Sequence, residues 1–169
     1  ATSDGGYKDD SGYDQQKVIL RHDYQGQAWD FRTVLDTANL KQDTAGFIAG
    51  YNAYQDSNLR KSNPNPDAYR DAWSVRLYSA ASKSLNKSST LTLTPYLRAN
   101  EMDFLQHFLA WQPVEENGHD SLGLRTTIHT DAAALRWVNG IDTEYTDASL
   151  KETQDEDFIP NPGIPAGVH

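Results

Sequence analysis

Two carboxylates placed two positions apart come closest to a catalytic pair in this sequence. Asp142 and Glu144 lie in a segment of strand-like alternation, which puts both side chains on one face. Residues i and i+2 of a strand are about 7 Å apart, within the roughly 5 to 10 Å that separates the two carboxylates of a glycoside hydrolase. Spacing alone does not give the two groups different proton affinities. We therefore interpret them as charges of a polar wall and expect no enzyme activity.

Other residues that could hold a metal do not form a recognisable ligand set. The nearest two of the five histidines, His119 and His129, are ten positions apart, and His107 lies twelve positions before His119. A structural zinc site needs three or four converging ligands. The acidic runs 115–116 and 155–157 are expected in loops, and 155–157 lacks the spaced ligands of a calcium loop. With no cysteine present, we expect no metal centre, disulfide or cofactor.

Charge and composition exclude several classes of protein. The 169 residues include 15 Lys and Arg against 24 Asp and Glu, a formal charge of −9. Nucleic-acid binding needs a basic footprint, so no nucleic-acid partner is expected. Mean hydropathy is −0.73, and no apolar run reaches the roughly 18 residues of a membrane helix. Yet 9 Tyr and 4 Trp exceed what disordered chains usually contain. The sequence predicts a folded chain whose core is thin or not internal.

Apolar and polar residues alternate over six segments, with the period of a β-strand that has one apolar face. In the clearest segment, Leu91, Leu93 and Leu97 alternate with Thr92 and Thr94. We predict strands over residues 17–24, 29–38, 73–82, 90–99, 121–129 and 135–146. One face of these segments is apolar with aromatic residues near the ends, and the other is charged. The predicted fold class is therefore all-β and antiparallel, with three hairpins.

The connections between the segments alternate between short and long. Turn-like connections at 25–28, 84–89 and 130–134 separate long polar stretches at 41–71, 101–120 and 151–169. Short turns at one end and long loops at the other are typical of an outer-membrane β-barrel, whose strands also alternate between a lipid face and a water face. A soluble antiparallel sheet with one dry face gives the same alternation. The loop rhythm favours the transmembrane barrel, with short periplasmic turns and long extracellular loops.

Several segments resemble parts of TonB-dependent outer-membrane receptors of the siderophore-receptor type. These are residues 62–72 (SNPNPDAYRDA), 93–98 (LTPYLR), 102–109 (MDFLQHFL), 115–121 (EENGHDS) and 140–147 (GIDTEYTD), and the likeness extends from about Gly12 to Thr153. The motifs are typical of a subgroup of these receptors. What they match is a central part of the barrel.

The chain also departs from that family. A plug domain, a TonB-binding segment and a final strand ending in an aromatic residue have no counterpart in it, and its start at Ala1 is polar and unlike a signal peptide. Six strands cannot close a membrane barrel, which takes at least eight, and large outer-membrane transporters have about 22. We therefore interpret residues 1–169 as a partial barrel domain of a longer receptor, with the plug and the remaining strands lying outside this chain.

The resemblance implies uptake across the outer membrane of Gram-negative bacteria. The expected cargo is a ferric siderophore or another scarce metal complex, and the expected partners are TonB, the receptor's own plug domain and outer-membrane lipid. Flat aromatic side chains in the long loops are the candidates for contact with a bulky ligand. Those candidates are Tyr51, Tyr54, Tyr69, Phe104, His107 and Trp111, with Phe47 and Phe108 beside them. The same rings could instead pack the loops together or form an aromatic girdle.

Two other functions remain open on the sequence. One is a soluble secreted β-sheet protein that binds a glycan or another small ligand. The other is a hydrolase that uses Asp142 and Glu144. Dependence on detergent separates the barrel from both, and loss of glycan turnover on Asp142→Asn or Glu144→Gln would identify the hydrolase.

Overall fold

The structure is a computed structural model that describes residues 1–109, 111–154 and the backbone of 167–168. Its strands form one antiparallel sheet in which each strand pairs with the next along the chain. They are β1 (Thr2–Asp4), β2 (Gly12–Gln25), β3 (Asp30–Asp43), β4 (Tyr69–Ser84), β5 (Ser89–Leu105), β6 (Val114–Ala132), β7 (Leu135–Gln154) and β8 (Gly167–Val168). The all-β, antiparallel prediction is confirmed.

The predicted strand count is wrong, and the sheet is open. The described residues form eight strands where six were predicted, and among them β1 and β8 lie at opposite edges without closing a barrel. Each of the six predicted segments lies on one of the long strands β2 to β7, which are longer than predicted. The two additional strands have three and two residues, too few for a periodic pattern to reveal.

The sheet has one apolar and one charged face, because directly opposed residues of an antiparallel pair point to the same side. One row of opposed residues crosses β2 to β7 on the apolar face: Leu20, Leu35, Leu77, Leu97, Leu122 and Tyr145. The next row lies on the charged face: Arg21, Val34, Tyr78, Tyr96, Gly123 and Glu144. The predicted alternation therefore holds across all the long strands at once.

The apolar face has no second layer over it in the described part of the chain. Leu20 is 59% exposed, Ile141 70% and Tyr145 73%. The buried apolar residues are instead Ala53, Ala68 and Pro113, which lie in the connections between strands. The sheet thus has almost no internal core, as the composition predicted.

Pro95 lies inside β5 without a bulge. The ladder between β4 and β5 stops at Tyr78↔Tyr96 and resumes at Ala81↔Leu93 in the same register, whereas Pro95 still pairs with Leu124 of β6. Proline has no backbone N–H to donate. The interruption is therefore confined to the side of β5 that faces β4.

The connections are short at one end of the sheet, the turn end, and longer at the other, the loop end. The turns cover residues 26–29, 85–88 and 133–134, and the connection at 44–68 is long, as predicted. The predicted loop at 101–120 is wrong, since β5 and β6 leave only residues 106–113 between them. Most of the stretch predicted as the loop 151–169 lies outside the described residues, including the acidic run 155–157, although β7 itself extends to Gln154.

Candidate functional site

The six predicted ligand residues all lie toward the loop end, but the structure does not gather them into one site. Tyr51 is 97% exposed. Tyr54 is also exposed, in a single 3₁₀ turn (Ala53–Gln55), where its hydroxyl accepts a hydrogen bond from Gln55 Nε2 at 3.2 Å. Both occupy the 44–68 connection, so their predicted loop position is confirmed. Their exposure leaves the rings free to meet a partner.

Tyr69 and Phe104 lie in strands, on opposite faces of the sheet. Tyr69 is the first residue of β4 and shares the apolar side with Leu77, and its hydroxyl donates to Asp103 Oδ1 at 3.1 Å. Burial, with the neighbouring Asp103 carboxylate, raises the pKa of Tyr69 to about 12. Phe104 lies on the charged side of β5, with the Arg70 guanidinium 5.6 Å from its ring centroid. Tyr69 and Phe104 were both predicted in loops, and both positions are wrong.

His107 and Trp111 lie in the short connection 106–113 and are partly exposed. The His107 ring meets Phe108 edge-on, with centroids 5.8 Å apart. His107 Nδ1 is buried and has no hydrogen-bond partner among the described residues. This connection therefore presents a compact aromatic group, whereas the aromatic residues of 44–68 are spread along a longer chain.

Asn63 joins two connections at the loop end through hydrogen bonds of its side chain. Its Nδ2 donates to the carbonyl oxygens of Asp10 at 3.0 Å and Thr44 at 3.4 Å. Its Oδ1 accepts from the N–H groups of Gly46 at 3.2 Å and Asn65 at 3.0 Å. One side chain thus joins the connection between β1 and β2 to the one between β3 and β4.

A polar cluster on the charged face is the best-defined arrangement of functional groups in the structure. The Tyr96 hydroxyl on β5 lies 3.0 Å from Asp142 Oδ1 and 2.9 Å from Glu144 Oε2 on β7. Arg125 Nε donates to Asp142 Oδ2 at 2.8 Å, and Arg98 donates to Glu144. Each carboxylate therefore has its own guanidinium and shares the tyrosine hydroxyl. We call these five residues the Tyr96 cluster.

Gly123 allows the Tyr96 side chain on β5 to reach the two carboxylates on β7. Tyr96 lies on β5 and the carboxylates on β7, so the ring must cross the intervening strand β6 at Gly123, which is directly opposite Tyr96. A Cβ at Gly123 would lie 2.1 Å from Tyr96 Cζ, inside the ring. Aromatic rings that cover glycines of a neighbouring strand pin its register. The ring over Gly123 thus ties three strands together.

A second polar group lies on the same face at the loop end. Gln106, only 6% exposed, donates through Nε2 to Glu115 Oε2 at 2.6 Å and Glu152 Oε1 at 3.0 Å. Asn117 Nδ2 adds a donor to Glu115 Oε1 at 2.6 Å. Glu115 was expected in a loop, but it lies on β6 directly opposite Glu152. The amide donors satisfy two carboxylates that would otherwise repel each other.

In both polar groups the carboxylates are held in place by donors on neighbouring side chains. Both acids of the Tyr96 cluster accept several donors. The described residues contain no group of three or more His, Asp or Glu side chains placed to hold a metal ion. None of the helical turns in 1–109 and 111–154 has the length and apolar character that a transmembrane helix requires.

Sequence reasoning identified part of the cluster and missed the rest. Asp142 and Glu144 were singled out by their spacing, but Tyr96, Arg98 and Gly123 were not connected with them. The available signal was a glycine on the polar side of a strand, which suggests close approach by another group. Naming that group required the register between strands.

No protein family matches the sequence, and no curated protein matches it significantly. Its function therefore has to be argued from the residues and the sheet.

Proposed function

We propose that this chain forms part of the wall of an outer-membrane β-barrel receptor for a scarce nutrient. Its apolar face meets lipid, and its charged face lines a water-filled lumen. The observation that carries the proposal is the uncovered apolar row from Leu20 to Tyr145, opposed by the charged row on the other face. A soluble sheet would cover that face with a second layer, whereas a membrane strand exposes it to hydrocarbon.

The height of the apolar band suits a membrane. On β5 the band runs from Leu91 to Ala99, about 27 Å along the strand and about 20 Å along the membrane normal at a strand tilt of about 40°. Aromatic residues border it at both ends: Tyr24, Phe31 and Trp137 at the turn end, and Trp73 and Tyr145 toward the loop end. This is the arrangement expected of girdles at two membrane interfaces, where an apolar band is about 25 Å tall.

Both outer edges of the sheet would need further strands in a membrane. β1 pairs with Gln15, Asp14 and Tyr13 of β2, and β8 pairs with Thr153 and Gln154 of β7. In hydrocarbon, every backbone N–H and C=O needs a partner. The proposed wall is therefore completed by strands beyond the eight described here.

The resemblance to TonB-dependent receptors extends the proposal from a wall to an uptake system. In that proposal the loop end faces outward and captures a ferric siderophore or similar metal complex. The charged face lies against a plug domain, and TonB supplies the energy. The segments at 62–72, 93–98 and 102–109 support this, together with exposed aromatic residues such as Tyr51 and Phe108 at the loop end.

A matched pair of arginine substitutions tests the wall. Leu93 points to the apolar face and Thr92 to the charged face of the same strand. Leu93→Arg should prevent assembly in the membrane, because a charge on the lipid face within the apolar band costs up to about 2–4 kcal/mol. Thr92→Arg should assemble, since it loses only the 3.0 Å hydrogen bond to Ser82, about 1 kcal/mol. The measurement is protease-resistant, heat-modifiable protein in outer-membrane fractions.

Equal assembly of Leu93→Arg and Thr92→Arg would refute the proposal that the apolar face meets lipid. A monomer that stays folded without detergent would favour the soluble ligand-binding protein. Uptake is tested separately, by accumulation of radiolabelled ferric siderophores in cells with and without the protein under iron limitation. Normal assembly without any such uptake would be consistent with the proposed barrel wall and would reject the transport role.

A further inference from the structure

Two arginines face each other directly on the charged side of the sheet. Arg76 of β4 is opposite Arg98 of β5 in the register between these strands. Directly opposed like charges are destabilising in a sheet. The arrangement therefore calls for a counter-charge at this point of the wall.

The protein supplies only part of that counter-charge. Arg98 binds Glu144 through a terminal nitrogen, whereas its Nε is buried without an acceptor among the described residues. Arg76 makes no ion pair within the described part of the chain. Asp36, which is opposite Arg76 on β3, instead pairs with Lys17 at 3.7 Å. The Arg76 guanidinium is thus without a carboxylate partner among the described residues, and the Arg98 guanidinium is only partly paired.

Both guanidinium groups line a depression of about 490 Å³. Small residues, Ala80 and Thr94, lie between its larger side chains and leave the space open. Three arginines and two carboxylates border it, a net charge of 3 − 2 = +1, in a chain whose net charge is −9. A locally positive recess on an acidic protein favours negatively charged ligands.

We propose that this depression binds a carboxylate or phosphate group between Arg76 and Arg98. The planar guanidinium fork matches both groups and can bind either with two parallel hydrogen bonds. The recess is larger than one such group, so the anion is the end of a larger molecule, with Tyr78 and Tyr96 contacting its body. The anion belongs either to a small molecule or to an acidic side chain of a polypeptide lying on this face. The site does not depend on what covers the opposite face.

Titration calorimetry on the full chain in detergent tests the site, with malonate and inorganic phosphate as probes. We expect saturable binding of at least one probe, weakened at least tenfold by Arg76→Gln and less by Arg76→Lys. Arg136→Gln is the matched control, because Arg136 lies on the same face at the turn end and pairs with Asp131. It should bind as the parent does. Circular dichroism verifies that each variant is folded.

Three results would overturn the site: no saturable binding of either probe, unchanged binding in Arg76→Gln, or equal weakening in Arg136→Gln. A tetraglutamate peptide distinguishes the two sources of the anion. Binding of the peptide at least tenfold tighter than malonate indicates a polypeptide occupant. Comparable affinities indicate a small molecule. Anion binding does not depend on the outcome of the Leu93→Arg assembly test. The proposed anion site and the proposed lipid-facing wall can therefore each be refuted without the other.

Discussion

The two faces of this sheet are made by the same strands, but their side chains are positioned by different forces. The leucine row from Leu20 to Leu122 has no directional bond to place it, and its members are interchangeable in kind. On the other face, Tyr96 contacts two carboxylates, and each of those also binds its own arginine. On the apolar face, the effect of a substitution should therefore depend on whether the new side chain is apolar. On the charged face, it should depend on which position is changed.

The largest loss of stability is expected from a substitution at Gly123, on the charged face. Gly123→Ala places a methyl group inside the Tyr96 ring, and overpacking of this kind costs about 1–3 kcal/mol. Denaturant unfolding in detergent measures the change. In a Tyr96→Ala background the added methyl group meets no ring, so the same substitution should cost much less. Additive effects of the two changes would mean that the ring does not cross β6 at this glycine.

A smaller effect is expected when only the hydroxyl is removed. Tyr96→Phe keeps the ring over Gly123 but loses the one O–H donor that Asp142 and Glu144 share. We expect the variant to assemble, with reduced thermal stability, because the two carboxylates then lose a shared donor. The control is Tyr78→Phe, at the position of β4 that lies directly opposite Tyr96. A loss as large as that of Gly123→Ala would show that the hydroxyl, and not the ring, holds the cluster.

At the loop end, Tyr69 allows the comparison to be tested by pH. Its pKa is raised to about 12 by burial and by Asp103, whereas an unperturbed tyrosine ionises near pH 10. The folded protein thus keeps this proton longer than the unfolded chain, so stability should fall as pH rises from about 10 to 12. Tyr69→Phe should flatten that fall. Ultraviolet titration of phenolate absorbance checks it, and an unchanged number of late-titrating tyrosines would contradict the assignment.

The smallest effect is expected on the apolar face. Leu97→Val retains an apolar surface at an exposed position, so stability should change by less than about 1 kcal/mol. The measurement is the same unfolding transition used for Gly123. A loss comparable to that of Gly123→Ala would mean that Leu97 packs against something specific, which is foreign to a lipid-facing surface.

The six long strands were predictable because one face is apolar and the other polar along most of their length. The prediction failed beyond Ala99, where the hairpin of β5 and β6 is polar on both sides. Asp103 and Glu116 lie on one side there, and Glu115 on the other, so period two disappears although the strands continue. Such a stretch has no apolar face that the sequence could reveal, because backbone hydrogen bonds between the strands hold it in the sheet.

The candidate site was less predictable than the fold. The Asp142 and Glu144 pair follows from spacing within one strand, but the Tyr96 cluster needs three strands in a fixed register. A shift by one residue would turn Tyr96 to the other face. Likewise, the loop position predicted for Phe104 failed because it depended on where β5 ends.

The strands lengthen steadily from 14 residues in β2 and β3 to 20 in β7. Most of the extra length lies at the turn end, where β7 begins at Leu135, five residues beyond Gly140, and Gly140 lies in one row with Asp30 of β3. That step is about 17 Å along the strand direction. At the loop end the strands finish nearly level, since Gly12 is opposite Asp43 and Val114 is opposite Thr153. Differences in height at the loop end therefore come from the connections, such as 44–68, which can change in length and composition without disturbing the sheet.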